Sequence, residues 1–84
     1  MGAEMKNVRV EYFAYFREKS GVPVEDVETG AATLGDLYDE LSGRHGFALP
    51  QSVVRPVVDD EFRAMSDAFN EGDRVAFVPP VAGG

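Results

Sequence analysis

Apolar and polar residues alternate from Val8 to Tyr15. Val8, Val10, Tyr12 and Ala14 share one face and Arg9, Glu11 and Phe13 the other, the pattern of a strand with one side on a core. The polar stretch 16–21 closes on Ser20-Gly21 and predicts one helical turn or a wide turn. A second short strand follows over 23–28, with Val24 and Val27 as its only apolar residues. Its leading proline and polar neighbours suit a sheet edge. At Thr33 the period changes. Leu34, Leu37, Tyr38 and Leu41 fall at i, i+3, i+4 and i+7, so 33–44 is predicted as a helix with its apolar stripe on the core. Thr33 is placed to cap it, Asp36 to meet the positive end of its dipole, and Gly43 or Gly46 to end it.

The strand pattern returns after Pro50. Val53, Val54, Val57 and Val58 form a β-branched run interrupted by Pro56, Asp59-Asp60-Glu61 reads as a polar turn, and Phe62 as re-entry into the fold. Asn70-Glu71-Gly72-Asp73 is a turn in which Gly72 supplies a positive φ. It leads into 74–78 (RVAFV), apolar enough to be a buried central strand, and Pro79-Pro80 then rule out further sheet. Strand, strand, helix, strand, short elements and strand describe an α+β fold in which one main helix lies across a mixed sheet, a β-grasp. At 84 residues there is room for one such domain, followed by a tail over 79–84. Residues 1–4 read as an addition ahead of a natural start at Met5.

Composition narrows the chemistry. With no cysteine there is no disulfide, no thiolate metal site and no thiol nucleophile, which suits a reducing compartment. The net charge of −7, from 15 acidic and 8 scattered basic residues, argues against nucleic acid and anionic lipid; it reads first as solubility, or adaptation to salt, and second as a means of docking on basic surfaces of larger partners. No signal peptide or membrane-spanning stretch is apparent, so the expected location is cytoplasmic. His45, the single histidine, reads as a helix-end or solvated residue, the acidic group 59–61 as a solvated turn, and no metal ligand set is expected.

The terminal residues are where chemistry fits. A frayed tail is normally polar, whereas Gly83-Gly84 follow an apolar strand, two prolines and Val81-Ala82. Glycines without Cβ atoms can thread a narrow channel, and an unbranched terminal carboxyl is open to attack once activated. Activation as a mixed anhydride would come from a separate ATP-using enzyme, so this chain would be a carrier rather than a catalyst.

These residues resemble the small subunit of molybdopterin synthase, a ubiquitin-like sulfur-carrier family, over residues 8–84. The resemblance rests on Phe13-Ala14, Arg17-Glu18 and Gly21, the helix from Thr33 to Leu41, and above all the block 70–84 (NEGDRVAFVPPVAGG). It implies adenylation of Gly84 by a ubiquitin-activating-like enzyme, then conversion to a thiocarboxylate by a sulfur donor. Sulfur would pass to a pyranopterin precursor inside the large subunit, within a heterotetramer. ATP and the sulfur donor would serve the activating enzyme, and no cofactor would be bound by this chain. Gly84 would accept sulfur, Gly83 would be the thin segment behind it, Val81 and Ala82 channel contacts, and Phe77, Val78 and Pro80 docking residues. For Phe77 and Val78 the alternative is core packing, and one of the two must be core because strand neighbours face opposite ways. Asp59 departs from the family, which often has Asn at that strand end. Three other readings stand beside the carrier: a modifier conjugated to lysines through Gly84, a thiazole-synthesis sulfur carrier, and an adaptor with no covalent chemistry.

Overall fold

The computed structural model describes residues 5–80. In chain order the elements are β1 (Lys6–Glu11), α1 (Ala14–Ser20), β2 (Val24–Thr29), α2 (Leu34–His45), a 3₁₀ turn (Gln51–Val53), β3 (Arg55–Val58), β4 (Glu61–Phe62) and β5 (Arg74–Val78). The sheet order is β2-β1-β5-β3-β4. β1 runs antiparallel to β2 and parallel to β5, while β3 is antiparallel to both β5 and β4. Leu34, Leu37, Tyr38 and Leu41 of α2 are buried in one cluster with Val8, Val10, Val27, Val58, Val75 and Phe77 of the sheet. This is the β-grasp, with β5 in the middle and β2 at an edge.

α2 forms as its sequence predicts. Thr33 accepts a hydrogen bond from the Asp36 amide at 3.1 Å, and Gly46, at φ 75°, ends the helix in the left-handed region. Gly43 is an interior helix residue. The first-turn amides, which have no partner within the helix, are satisfied by the connection before β5: Leu34 N donates to Asp67 O at 2.9 Å and Gly35 N to Met65 O at 2.8 Å. Gly35 permits that approach, since a Cβ there would stand 3.2 Å from Met65 O and 2.9 Å from Gln51 Oε1.

Two expectations are corrected. The opening strand ends at Glu11, and Ala14 begins α1 with φ 50°. The alternation runs on because Tyr12 is still core-facing, but the chain must then turn to bring Phe16 inward. Phe16 is fully buried, with ring centroids 4.8 Å from Phe47 and 6.0 Å from Tyr38. One apolar anchor in a seven-residue helix leaves no periodic stripe to detect. The second correction is Phe62, which does not re-enter the core: it is 60% exposed on β4.

Pro56 sits inside β3 at little cost. Its carbonyl accepts from Arg63 N on the β4 side, and in a strand a residue's N and C=O point the same way. The missing donor therefore faces the two-residue edge strand β4 and leaves the pairing with β5 intact.

Candidate functional site

β5 is held on both sides, which fixes the point from which the tail departs. Val10 and Glu11 of β1 lie opposite Val75 and Ala76, and on the other side Arg55, Pro56, Val57 and Val58 lie opposite Val78, Phe77, Ala76 and Val75. Alternation along β5 sends Val75 and Phe77 to the helix layer and Arg74, Ala76 and Val78 to the opposite face. Among the described residues that second face carries no helix. Glu11, Ala76, Val57 and Phe62 are direct neighbours across four strands. A shallow depression of about 160 Å³ lies among Glu11, Phe13, Val57, Asp60, Arg74, Ala76 and Val78. Phe13 beside it is 54% exposed. An apolar strip with two exposed aromatic rings thus adjoins the root of the tail, the kind of surface that marks a partner site on a small acidic domain.

The strip has a charged border. Arg74 Nη2 lies 2.7 Å from Asp60 Oδ2, and Arg74 Nε lies 3.9 Å from Glu11 Oε1. The hydrogen bond to Asp60, and then the charges of Asp60 and Glu11, raise the pKa of this guanidinium above its ordinary value. Asp59 and Asp60 are the central residues of the β3–β4 turn, with φ 49° and 72°. Positive φ at both is the type I′ geometry that suits a tight hairpin. Asp59 N donates to Arg74 O at 2.9 Å and Asp59 Oδ1 accepts from Arg74 N at 3.2 Å, so the acidic turn is fastened to the start of β5.

The predicted site residues separate. Phe77 is 1% exposed and packs edge-on to Tyr38 at 5.2 Å, so its side chain is core and offers no docking surface. Val78 is half-buried on the open face, Pro79 is half-buried and Pro80 exposed. Val81, Ala82, Gly83 and Gly84 lie outside the described residues. Sequence reasoning missed Phe13, Val57 and Phe62 as a surface. The available signal was a large aromatic residue on the polar side of an alternating strand.

Elsewhere the polar groups are structural. His45 ends α2 as expected but is not solvated: its side chain is 14% exposed, with Nε2 3.0 Å from Glu25 Oε1 and its ring against Tyr12 and Phe47. Glu25 also accepts from Tyr12 OH at 2.7 Å and pairs with Arg44 at 3.2 Å, which ties β2 to the end of α2. Among the described residues no three His, Asp or Glu side chains are placed to hold a metal ion, and no helix is long and apolar enough to cross a membrane.

Residues 10–84 match the ThiS family, a span that includes both β5 and Gly83-Gly84. The chain belongs to the ThiS family. Its curated relatives include the molybdopterin synthase sulfur carrier subunits of Chlamydomonas reinhardtii and Mycobacterium tuberculosis. The first is 35% identical, covering 92% of this chain and 98% of the relative; the second is 35% identical over 95% and 100%. Among solved structures, small archaeal modifier protein 1 of Haloferax volcanii superposes with a TM-score of 0.76 at 28% identity, covering 90% of this chain and 99% of the other. For a ThiS-family chain the division of labour on β5 is informative: one face holds the domain together, and the other stands open next to the tail.

Proposed function

We propose that this chain is the sulfur carrier of a molybdopterin synthase, loaded on the carboxyl group of Gly84. The observation that carries the reading is its 35% identity, over nearly the full length of each, to relatives named as that subunit. In the proposed cycle a carboxylate oxygen of Gly84 attacks the α-phosphorus of ATP on a separate adenylating enzyme, and pyrophosphate leaves. Sulfide delivered by a separate donor then attacks the acyl carbon and displaces AMP, so that a C–S bond replaces the mixed anhydride and leaves a thiocarboxylate. The tail enters the large subunit and yields its sulfur to a pyranopterin precursor, while the open face of the sheet docks outside.

The chain's own part is placement. A rigid root at Val78 and two prolines restrict where the terminus can reach, and correct placement accounts for much of such a rate. Loading is tested by intact mass after incubation with the adenylating enzyme, ATP and a sulfur donor. One oxygen-to-sulfur exchange located on Gly84 is expected, and an unchanged mass with a demonstrably active enzyme refutes the carrier. Threading is tested with Gly83→Val, thiocarboxylated separately, in single-turnover transfer to the precursor. A loss of roughly 100-fold is expected if a β-branched side chain displaces the terminus by about 1 Å. Transfer at the native rate would remove the narrow channel.

The likeness to an archaeal modifier supports one competing reading, conjugation of Gly84 to lysines of other proteins. It shares the adenylate and diverges afterwards. Slowly migrating conjugates on a denaturing gel, in place of sulfur transfer, would select it.

A further inference from the structure

The cations of this acidic chain are nearly all accounted for. Arg9 pairs with Asp26, Arg44 with Glu25 and Glu40, Arg63 with Asp67, and Arg74 with Asp60 and Glu11. Lys6 Nζ donates to Phe69 O at 2.8 Å over the Phe69 ring, and Arg17 and Lys19 lie in the last turn of α1, where carbonyl ends attract positive charge. Arg55, like Lys6, Arg17 and Lys19, has no carboxylate within ion-pair distance among the described residues; what sets it apart is that it also lacks a helix C-terminus or a backbone acceptor and lies on the open face of the sheet.

Its position is specific. Arg55 lies directly opposite Val78, the last strand residue before Pro79-Pro80, on a strand bonded to β5 and β4. Its guanidinium carbon stands 4.5 Å from the centroid of the exposed Phe62 ring. A guanidinium held over an aromatic face loses less side-chain freedom on binding a partner. An uncommitted, pre-oriented planar fork at the root of the tail is suited to a carboxylate, which it can meet with two parallel hydrogen bonds. A polyanion such as RNA or an acidic membrane would suit it less, because the surrounding net charge of −7 repels extended negative surfaces.

We infer that Arg55, placed over the Phe62 ring, is the ionic anchor by which the large subunit grips this chain beside the tail, through a carboxylate of that subunit. The inference rests on the carrier reading and adds a binding determinant that the terminal glycines cannot supply. One charge-assisted pair is worth enough to read as a change of roughly 10- to 100-fold in affinity.

The test is titration of the full chain with the large subunit, using native protein, Arg55→Gln, Arg55→Lys and Arg55→Glu, with thermal melts of each. Arg55→Gln is expected to bind about tenfold more weakly and to depend less on salt, Arg55→Glu to bind weakest of all, and Arg55→Lys to recover part of the loss. All four should melt alike because the side chain is exposed. Arg55→Gln binding within twofold of native overturns the inference and leaves the carrier reading standing. Loss in Arg55→Glu alone, with Gln equal to native, also overturns it, since an introduced negative charge can repel without any native pair. Native protein that does not bind the large subunit at all removes the carrier reading first and the anchor with it.

Discussion

Val75 and Phe77 on one side of β5, and Ala76 and Val78 on the other, alternate along five residues of a single strand, yet their surroundings differ. Toward the helices, Phe77 meets an aromatic group in which Phe16, Tyr38 and Phe47 lie 4.8–6.0 Å apart in tilted and edge-on contacts. Away from them, Val78 adjoins a shallow depression bordered by exposed Phe13 and by a row ending in exposed Phe62. The first face is covered by the chain itself, and the second is left for something else to cover. On the proposed carrier reading, separating stability from docking across one strand would let the tail root be rigid without enclosing the surface a partner needs.

The same substitution on the two faces should give opposite results. Phe16→Ala removes a fully buried ring and should cost about 3–5 kcal/mol, a large part of the 5–10 kcal/mol expected of so small a domain. Denaturant unfolding would show this as a midpoint shift with little change of slope. Phe62→Ala removes a ring that is already 60% exposed, and the fold should lose roughly 0.5 kcal/mol or less. Its effect should fall on large-subunit affinity, through lost apolar contact and a released Arg55. A Phe62→Ala variant that unfolds as readily as Phe16→Ala would show that the open face is structural.

What the sequence makes legible follows this division. α2 is plain because cap, stripe and terminal glycine agree, and β5 because an apolar run is bounded by Gly-Asp and Pro-Pro. The end block is legible as a family pattern. α1 is not, since its turn depends on Ala14 at φ 50° and a single buried ring. Nor is the open face. Alternation says that Phe77 and Val78 point in opposite directions, but only packing decides which direction is covered. Phe62, in a strand of two residues, has no alternation to place it. The acidic turn is recognisable by composition, while its fastening to Arg74 appears only when strands far apart in sequence are paired.

A smaller effect tests the corner where β2 meets α2. Desolvation alone would raise the Glu25 pKa, but hydrogen bonds from Tyr12 and His45, with the nearby charges of His45 and Arg44, outweigh it and hold the carboxyl below its ordinary value. A depressed folded-state pKa adds stability above the unfolded value of about 4.3, which is lost as pH falls through the folded one. Native protein should therefore lose stability below about pH 4. Glu25→Gln should be less stable at neutral pH and show a shallower acid decline. Identical pH profiles for the two would remove Glu25 as the latch. Because this latch lies on the covered side, large-subunit affinity at neutral pH should not change in the variant.

The smallest effect concerns the β3–β4 turn, where the open face borders on the tail-bearing strand. Asp59 and Asp60 both hold positive φ, a conformation that Asn and Gly adopt with less strain in a type I′ turn. Asp59→Asn keeps an Oδ1 acceptor for the Arg74 amide and removes one negative charge from a run of three. Asp60→Gly relieves the more positive φ but gives up the pair with Arg74. That pair is made by an Asp60 side chain that is 87% exposed, so solvent screening leaves it with little net worth. Added flexibility in the unfolded chain subtracts a further few tenths. The double variant should thus gain about 0.5–1 kcal/mol, which a domain of this size reports as a melting point higher by roughly 2–8 °C. A lower melting point would mean that the Asp60–Arg74 contact, with Glu11 behind it, stabilises the open face more than its exposure implies. In that case the charged border belongs with the structural face of the sheet rather than with the docking one.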